Sequence, residues 1–111
     1  MRRVITLLLL VPSLAHAADP QAAAKAIIAT QCSACHRVPG VPAAMGDIGP
    51  TPKGIAKRPL SAGKLPNTSP NMIRWLMHPQ QVSPGTTMPD IGLTEDQARK
   101  LAAYLSTLDQ Q

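Results

Sequence analysis

The only two cysteines of the chain stand three residues apart in "CSACHR", residues 32–37, with a histidine directly after the second. Cys32, Cys35 and His36 are compatible with several chemistries. A thioredoxin-like dithiol needs a βαβ setting, and no stretch of the sequence shows sustained strand alternation or β-branched enrichment. A structural zinc site needs four nitrogen or sulfur ligands. Outside the N-terminal leader the chain offers Cys32, Cys35, His36 and His78, and neighbouring Cys35 and His36 are poorly placed to share one tetrahedron. A structural disulfide in an exported protein uses both thiols and leaves His36 without a role.

C-x-x-C-H is also the attachment motif of c-type haem, and this reading uses all three residues. Cysteines one helical turn apart reach the two vinyl groups on one side of a porphyrin, and the next residue turns its imidazole toward the iron. The composition points the same way. A chain of 111 residues with one Trp, one Tyr and no Phe has little ring surface for a core, and domains of this size usually lean on a staple, a metal or a cofactor. A haem supplies a large apolar face, so folding is expected to depend on it.

An iron held by one histidine needs a second axial ligand to serve as an electron carrier, or an open position to bind small molecules. The side-chain candidates are Met45, Met72, Met77, Met88 and His78. Met88 is favoured: it sits in "PGTTMPD", where Pro84-Gly85 makes a turn and Pro89 stiffens the exit, so a constrained loop presents the thioether. Met72 and Met77 lie in a helical pattern beside Ile73 and Leu76 and read as core, while Met45 reads as a loop gap-filler or surface residue. His78, before Pro79, reads as a cationic helix end.

The elements that position these residues can be read along the chain. Arg2 and Arg3, the apolar run 4–11 and the small-x-small site Ala15-His16-Ala17 form a secretory leader, far shorter in its apolar part than the roughly 20 residues of a membrane span. Cleavage is expected after Ala17, leaving residues 18–111 as one domain. Loss of Arg2 and Arg3 leaves nine cations against six anions, and the formal charge falls from +5 to +3. No dense Lys/Arg cluster of the nucleic-acid-binding kind is present.

Asp19 as N-cap and Pro20 at the first position predict a helix over about 20–35. Residues 39–70 hold seven prolines and read as a wrapping loop, with one short helix near 53–57. "TSPNMIRWLMHP" predicts a two-turn helix capped by Ser69 and stopped by Pro79. "GLTEDQARKLAAYLSTLDQQ" predicts an amphipathic helix with a Thr94–Gln97 capping box and Ala98, Leu101, Leu105 and Leu108 on one face. The fold class is all-α, three to four helices wrapped on one haem.

Taken together these residues resemble a class I cytochrome c over nearly the whole of 18–111. The resemblance implies a cytochrome c fold with crossing N- and C-terminal helices, Ala24 and Ile28 meeting Leu101 and Tyr104. It implies one haem c bound through Cys32 and Cys35, with His36 and Met88 as axial ligands. By the same likeness Pro50 offers its carbonyl to the histidine, Arg58 faces a buried propionate, Trp75 lies beside the methionine, and Thr86 donates near a propionate. On residues alone Arg58 reads as readily as a solvated charge, and Leu101 with Tyr104 as generic core.

Two positions depart from the mitochondrial members. Pro52 replaces a leucine that packs on the haem, and Gln80, Gln81 and Thr87 stand at exposed-edge positions that carry lysines there. The expected function is that of a periplasmic one-electron shuttle and not an enzyme, exchanging electrons with a membrane oxidase, a reductase or a periplasmic dehydrogenase. No nucleic-acid binding is expected, and membrane contact only through those partners. Residues 67–89 also resemble cytochrome c domains fused to terminal-oxidase subunits, which keeps a dedicated electron-transfer subunit as an alternative. A haem sensor or peroxidase with a displaceable sixth ligand is a further one.

Overall fold

The computed structural model describes residues 19–109 together with Met1, Pro12 and Ser13; apart from those three residues, the leader expected over 1–17 lies outside the described part. Among the described residues four helices carry the fold: α1 (Ala22–Gln31), α2 (Ser69–Met77), α3 (Pro79–Val82) and α4 (Glu95–Leu105). A 3₁₀ turn, Ile55–Lys57, and two short strands, β1 (Leu60–Ser61) and β2 (Leu65–Pro66), lie between α1 and α2. The regular structure is overwhelmingly helical, and the fold class is all-α. Among the described residues no helix is long and apolar enough to cross a membrane.

α1 begins two residues later than the Pro20 start expected. The Asp19 carboxylate accepts from the Gln21 backbone N–H at 2.9 Å and its carbonyl from Ala22 at 3.0 Å, so Pro20 and Gln21 form a turn ahead of the helix. The Gln21 bond, with Lys25 at 3.0 Å, holds the Asp19 carboxyl below the usual range. The helix also ends early, at Gln31. Cys32–Cys35 form a tighter turn closed by Cys35 and His36 N–H groups on the Cys32 carbonyl, at 3.2 and 2.9 Å. The Ser33 hydroxyl takes the Ala29 carbonyl at 2.7 Å, and the carbonyls of Cys35 and His36 accept from Gly49 and Gly46 at 2.7 and 3.1 Å, which ties the turn to the following loop.

The cap of α2 is Thr68, one residue before the Ser69 expected. Its hydroxyl accepts from the Asn71 N–H at 3.4 Å, and Pro70 then sits in the first turn, where its missing N–H costs nothing. Pro79 does stop α2, because the residue before a proline is pushed out of helical geometry: His78 has φ −137° and ψ 56°. Pro79 also opens α3, a turn the sequence pattern did not reveal. The β1–β2 pairing, Leu60 with Pro66 and Ser61 with Leu65, was likewise not anticipated; two residues per strand are too few for any alternation to register.

α4 carries the full capping box, Gln97 N–H to Thr94 Oγ1 at 3.2 Å and Thr94 N–H to Gln97 Oε1 at 3.0 Å. Glu95–Arg99 and Asp96–Lys100 pair along its exposed face. Replacing Thr94 with alanine is expected to lower the stability of the holoprotein by about 1 kcal/mol, read as a shift in denaturant midpoint at constant slope.

The inner face of α4, with Ala98, Leu101, Tyr104 and Leu105 buried, packs on α1 through Ala24 and Ile28 and on α2 through Met72 and Leu76. Tyr104 reaches out of this core to donate to the Pro39 carbonyl at 2.6 Å, which fixes the chain just after the cysteine–histidine turn. Gly40 beside it has φ +80°, and a side chain there would collide with the Tyr104 hydroxyl.

Candidate functional site

The C-terminal end of α1 and the loop 46–50 hold the first half of the site. His36 Nδ1–H donates to the Pro50 carbonyl at 2.7 Å, since a carbonyl can only accept. That bond fixes the tautomer and leaves the lone pair of Nε2 available to a metal. Gly49 lies flat against the ring: a Cβ there would stand 2.8 Å from Nδ1 and 2.9 Å from Nε2. Gly46 is equally pressed on the turn, with an added Cβ 2.6 Å from the Cys35 carbonyl carbon and 2.7 Å from the His36 nitrogen. Gly49→Ala is therefore expected to push the imidazole off the Pro50 carbonyl, at a cost of about 1–3 kcal/mol, seen as lower thermal stability and a displaced histidine signal.

Cys32, Cys35 and His36 line a cavity of about 310 Å³. This lies at the lower end of the range for small-molecule sites. It adjoins an inner chamber of about 90 Å³ lined by core side chains, among them Ile28, Leu76 and Leu101. Cys32, His36, Trp75 and Met88 face both spaces, which makes them two parts of one crevice. Burial, and then the nearby Cys35, push the Cys32 thiol up, toward its neutral form. Such surroundings suit a neutral thioether better than a zinc-bound thiolate. Both cysteines are unpaired, and no group of three or more His, Cys, Asp or Glu side chains among the described residues is gathered to hold a metal.

Met88 enters the crevice from the loop between α3 and α4. Met72 lines the inner chamber only, from the buried face of α2, and Met45 is 62% exposed at the surface. Thr86 lines the outer cavity beside Met88, and its hydroxyl accepts from the Met88 N–H at 3.4 Å. Trp75 and Pro52 are half-buried; Pro52 faces the inner chamber, so a proline packs where the resemblance raised a leucine. His78 is half-buried at the α2–α3 junction and lines neither space.

Arg58 is exposed and donates to the carbonyls of Thr51 at 3.2 Å and Lys53 at 2.8 Å. It lines neither space among the described residues; its guanidinium ties the loop backbone together.

Gln80 departs from the exposed-edge position expected. It is half-buried, and its amide Nε2 donates to the carbonyls of Thr86 at 2.7 Å and Met88 at 2.9 Å. The glutamine pair after "HP" gives no sign in the sequence of which of the two turns inward. Gly46 and Gly49 likewise read as loop punctuation; only their proximity to the C-x-x-C-H turn in space reveals a role.

The crevice thus gathers two thiols at thioether spacing, an oriented imidazole and a loop-borne thioether within apolar walls. This donor set fits a c-type haem. The Cytochrome c family model matches residues 21–109. The chain belongs to the cytochrome c family. Its four helices and minimal strand content agree with the class I cytochrome c fold, and the matched span contains every residue of the crevice. Cytochrome c proteins carry covalent haem c and work by haem-based electron transfer. Among curated proteins no relative matches the chain.

Proposed function

We propose that the chain is a periplasmic one-electron carrier whose single haem c is held by thioethers from Cys32 and Cys35 and ligated by His36 and Met88. The observation that carries this reading is the convergence of an imidazole, already fixed through Nδ1 by Pro50, with a methionine thioether on one crevice beside both thiols. When bound, haem supplies the one-electron iron couple. Cys32 and Cys35 fix its edge, so that no electron partner can displace it. His36 gives a donor of set orientation, strengthened by its bond to Pro50. Met88 supplies a weak neutral ligand that favours the reduced state relative to a second histidine. The apolar wall of Ile28, Leu76 and Leu101 keeps water from the inner face, and rearrangement on electron transfer is small.

The periplasmic assignment rests on the leader read in residues 1–17. The partners we propose are redox proteins, a membrane oxidase, a reductase or a periplasmic dehydrogenase. Ile48 lines the outer cavity while 74% exposed, and Gln81 and Thr87 are exposed and uncharged. Docking at this edge leans on apolar contact, and its rate is expected to change less than about tenfold between low and moderate salt. Stopped-flow oxidation by an isolated oxidase checks this, and a fall of several orders of magnitude would contradict it.

Optical spectra of the oxidised and reduced protein, with carbon monoxide added to the latter, test the ligand set. A weak far-red sulfur-to-iron band and no carbon monoxide shift support the carrier; a shift would favour a sensor or enzyme with an open sixth site.

A further inference from the structure

Leu93 anchors the far end of the Met88 loop in the core, and Met88 and Ile91 pack against the core edge, but the loop has few polar ties. Residues 83–90 carry no regular structure and include no buried residue. Among the described residues, every hydrogen bond that links 87–93 to another element ends on one residue, Gln80 of α3. Its two amide hydrogens are divided between the carbonyls of Thr86 and Met88, two residues before the thioether's own residue and at it, at 2.7 and 2.9 Å. Its backbone N–H donates to Asp90 Oδ1 at 3.2 Å, two residues past the methionine. Both side-chain partners are carbonyls, so the amide nitrogen must face them. A glutamine suits this position because it brings two donors on one planar nitrogen, at fixed spread, without adding a charge beside the haem.

We infer that Gln80 is the positioning residue that sets how readily the Met88 thioether leaves the iron. This rests on the reading of Met88 as sixth ligand. Exchange of that ligand requires the loop to swing away, and the swing breaks the two amide bonds and strains the third. Gln80 thereby keeps the sixth position closed to outside ligands during electron transfer, although it touches neither iron nor haem in this role.

The test uses the ferric holoprotein and imidazole as the probe. The thioether leaves, an imidazole nitrogen takes its place and no electron changes hands, so at saturating imidazole the rate reports departure of the thioether. Gln80→Leu keeps the bulk and loses both donors; the limiting rate is expected to rise at least about tenfold, as loss of two neutral hydrogen bonds implies. Asp90→Ala removes only the third bond and is expected to give a smaller rise in the same direction, which preserves the test should Gln80→Leu fail to load haem.

Thr94→Ala is the control, since it loosens the cap where the loop joins α4 and leaves all three Gln80 bonds in place, and its limiting rate is expected to match wild type. A wild-type rate in both Gln80→Leu and Asp90→Ala overturns the inference, as does an equal rise in Thr94→Ala. Met88→Ala separates the two readings: retention of the far-red band and of a limiting step there would remove Met88 as ligand, and Gln80's role with it, whereas loss of both with an unresponsive Gln80→Leu removes Gln80 alone.

Discussion

Substitution of Met88 by alanine is expected to lower the reduction potential by on the order of 0.1 V, a modest part of the roughly 0.8 V that axial ligation spans. It is also expected to let carbon monoxide bind the reduced protein. Both effects follow from where Met88 stands. It is the one methionine that faces both the outer cavity and the inner chamber with His36, and it does so half-buried, from a loop at the edge of the core and not from a helix within it. Met72 is the nearest competitor, but it lines only the inner chamber and is 5% exposed within the core. Removing it would damage packing before ligation. Potentiometry with carbon monoxide difference spectra reads both effects. An unchanged potential and spectrum in Met88→Ala would move the ligand role to another side chain.

The second large effect concerns folding. Cys32→Ala/Cys35→Ala protein, free of haem, is expected to lose most of its helical signal and to melt without a cooperative transition. The crevice is central to the domain and opens a void of about 310 Å³ beside a core that has one Trp, one Tyr and no Phe. At about 24 cal/mol per Å³, a void of that size would cost about 7 kcal/mol as an upper figure. Whole domains of this kind are stable by only about 5–15 kcal/mol. Leaving the crevice unfilled therefore consumes from about half to all of that margin, and water entering it does not restore the lost apolar contacts. Circular dichroism on heating decides the matter; full helicity with a sharp transition would show that the polypeptide folds without its cofactor.

How much of this was legible in the sequence follows from the range of each signal. The C-x-x-C-H turn, the Thr94–Gln97 capping box and the proline-framed Met88 loop are local patterns within a few residues, and local chemistry dictates them. The cap of α2 was missed by one residue because Ser69 and Thr68 are equally good caps and Pro70 tolerates either start. The end of α1 was misplaced because the Ser33 hydroxyl takes the Ala29 carbonyl at 2.7 Å and the Cys35 N–H turns to Cys32, a local change of pairing that the unbroken run of helix formers does not show.

Arg58 and Gln80 show the same limit from opposite sides. Arg58 has the charge that suits a propionate, and nothing in the sequence reveals that its guanidinium also donates to the Thr51 and Lys53 carbonyls. Gln80 looked like an uncharged surface residue, and only its long-range bonds across the loop reveal that it faces inward. Side-chain direction depends on what tertiary contacts offer, and composition does not carry that information.

The most direct measurement is the intact mass of the mature, coloured protein under denaturing conditions, before and after treatment with a thiol-alkylating reagent. Covalent attachment requires a polypeptide heavier by one haem, with Cys32 and Cys35 both inert to the reagent. A colourless chain of bare polypeptide mass, whose two cysteines alkylate or are joined to each other, would contradict the haem site and every role derived from it.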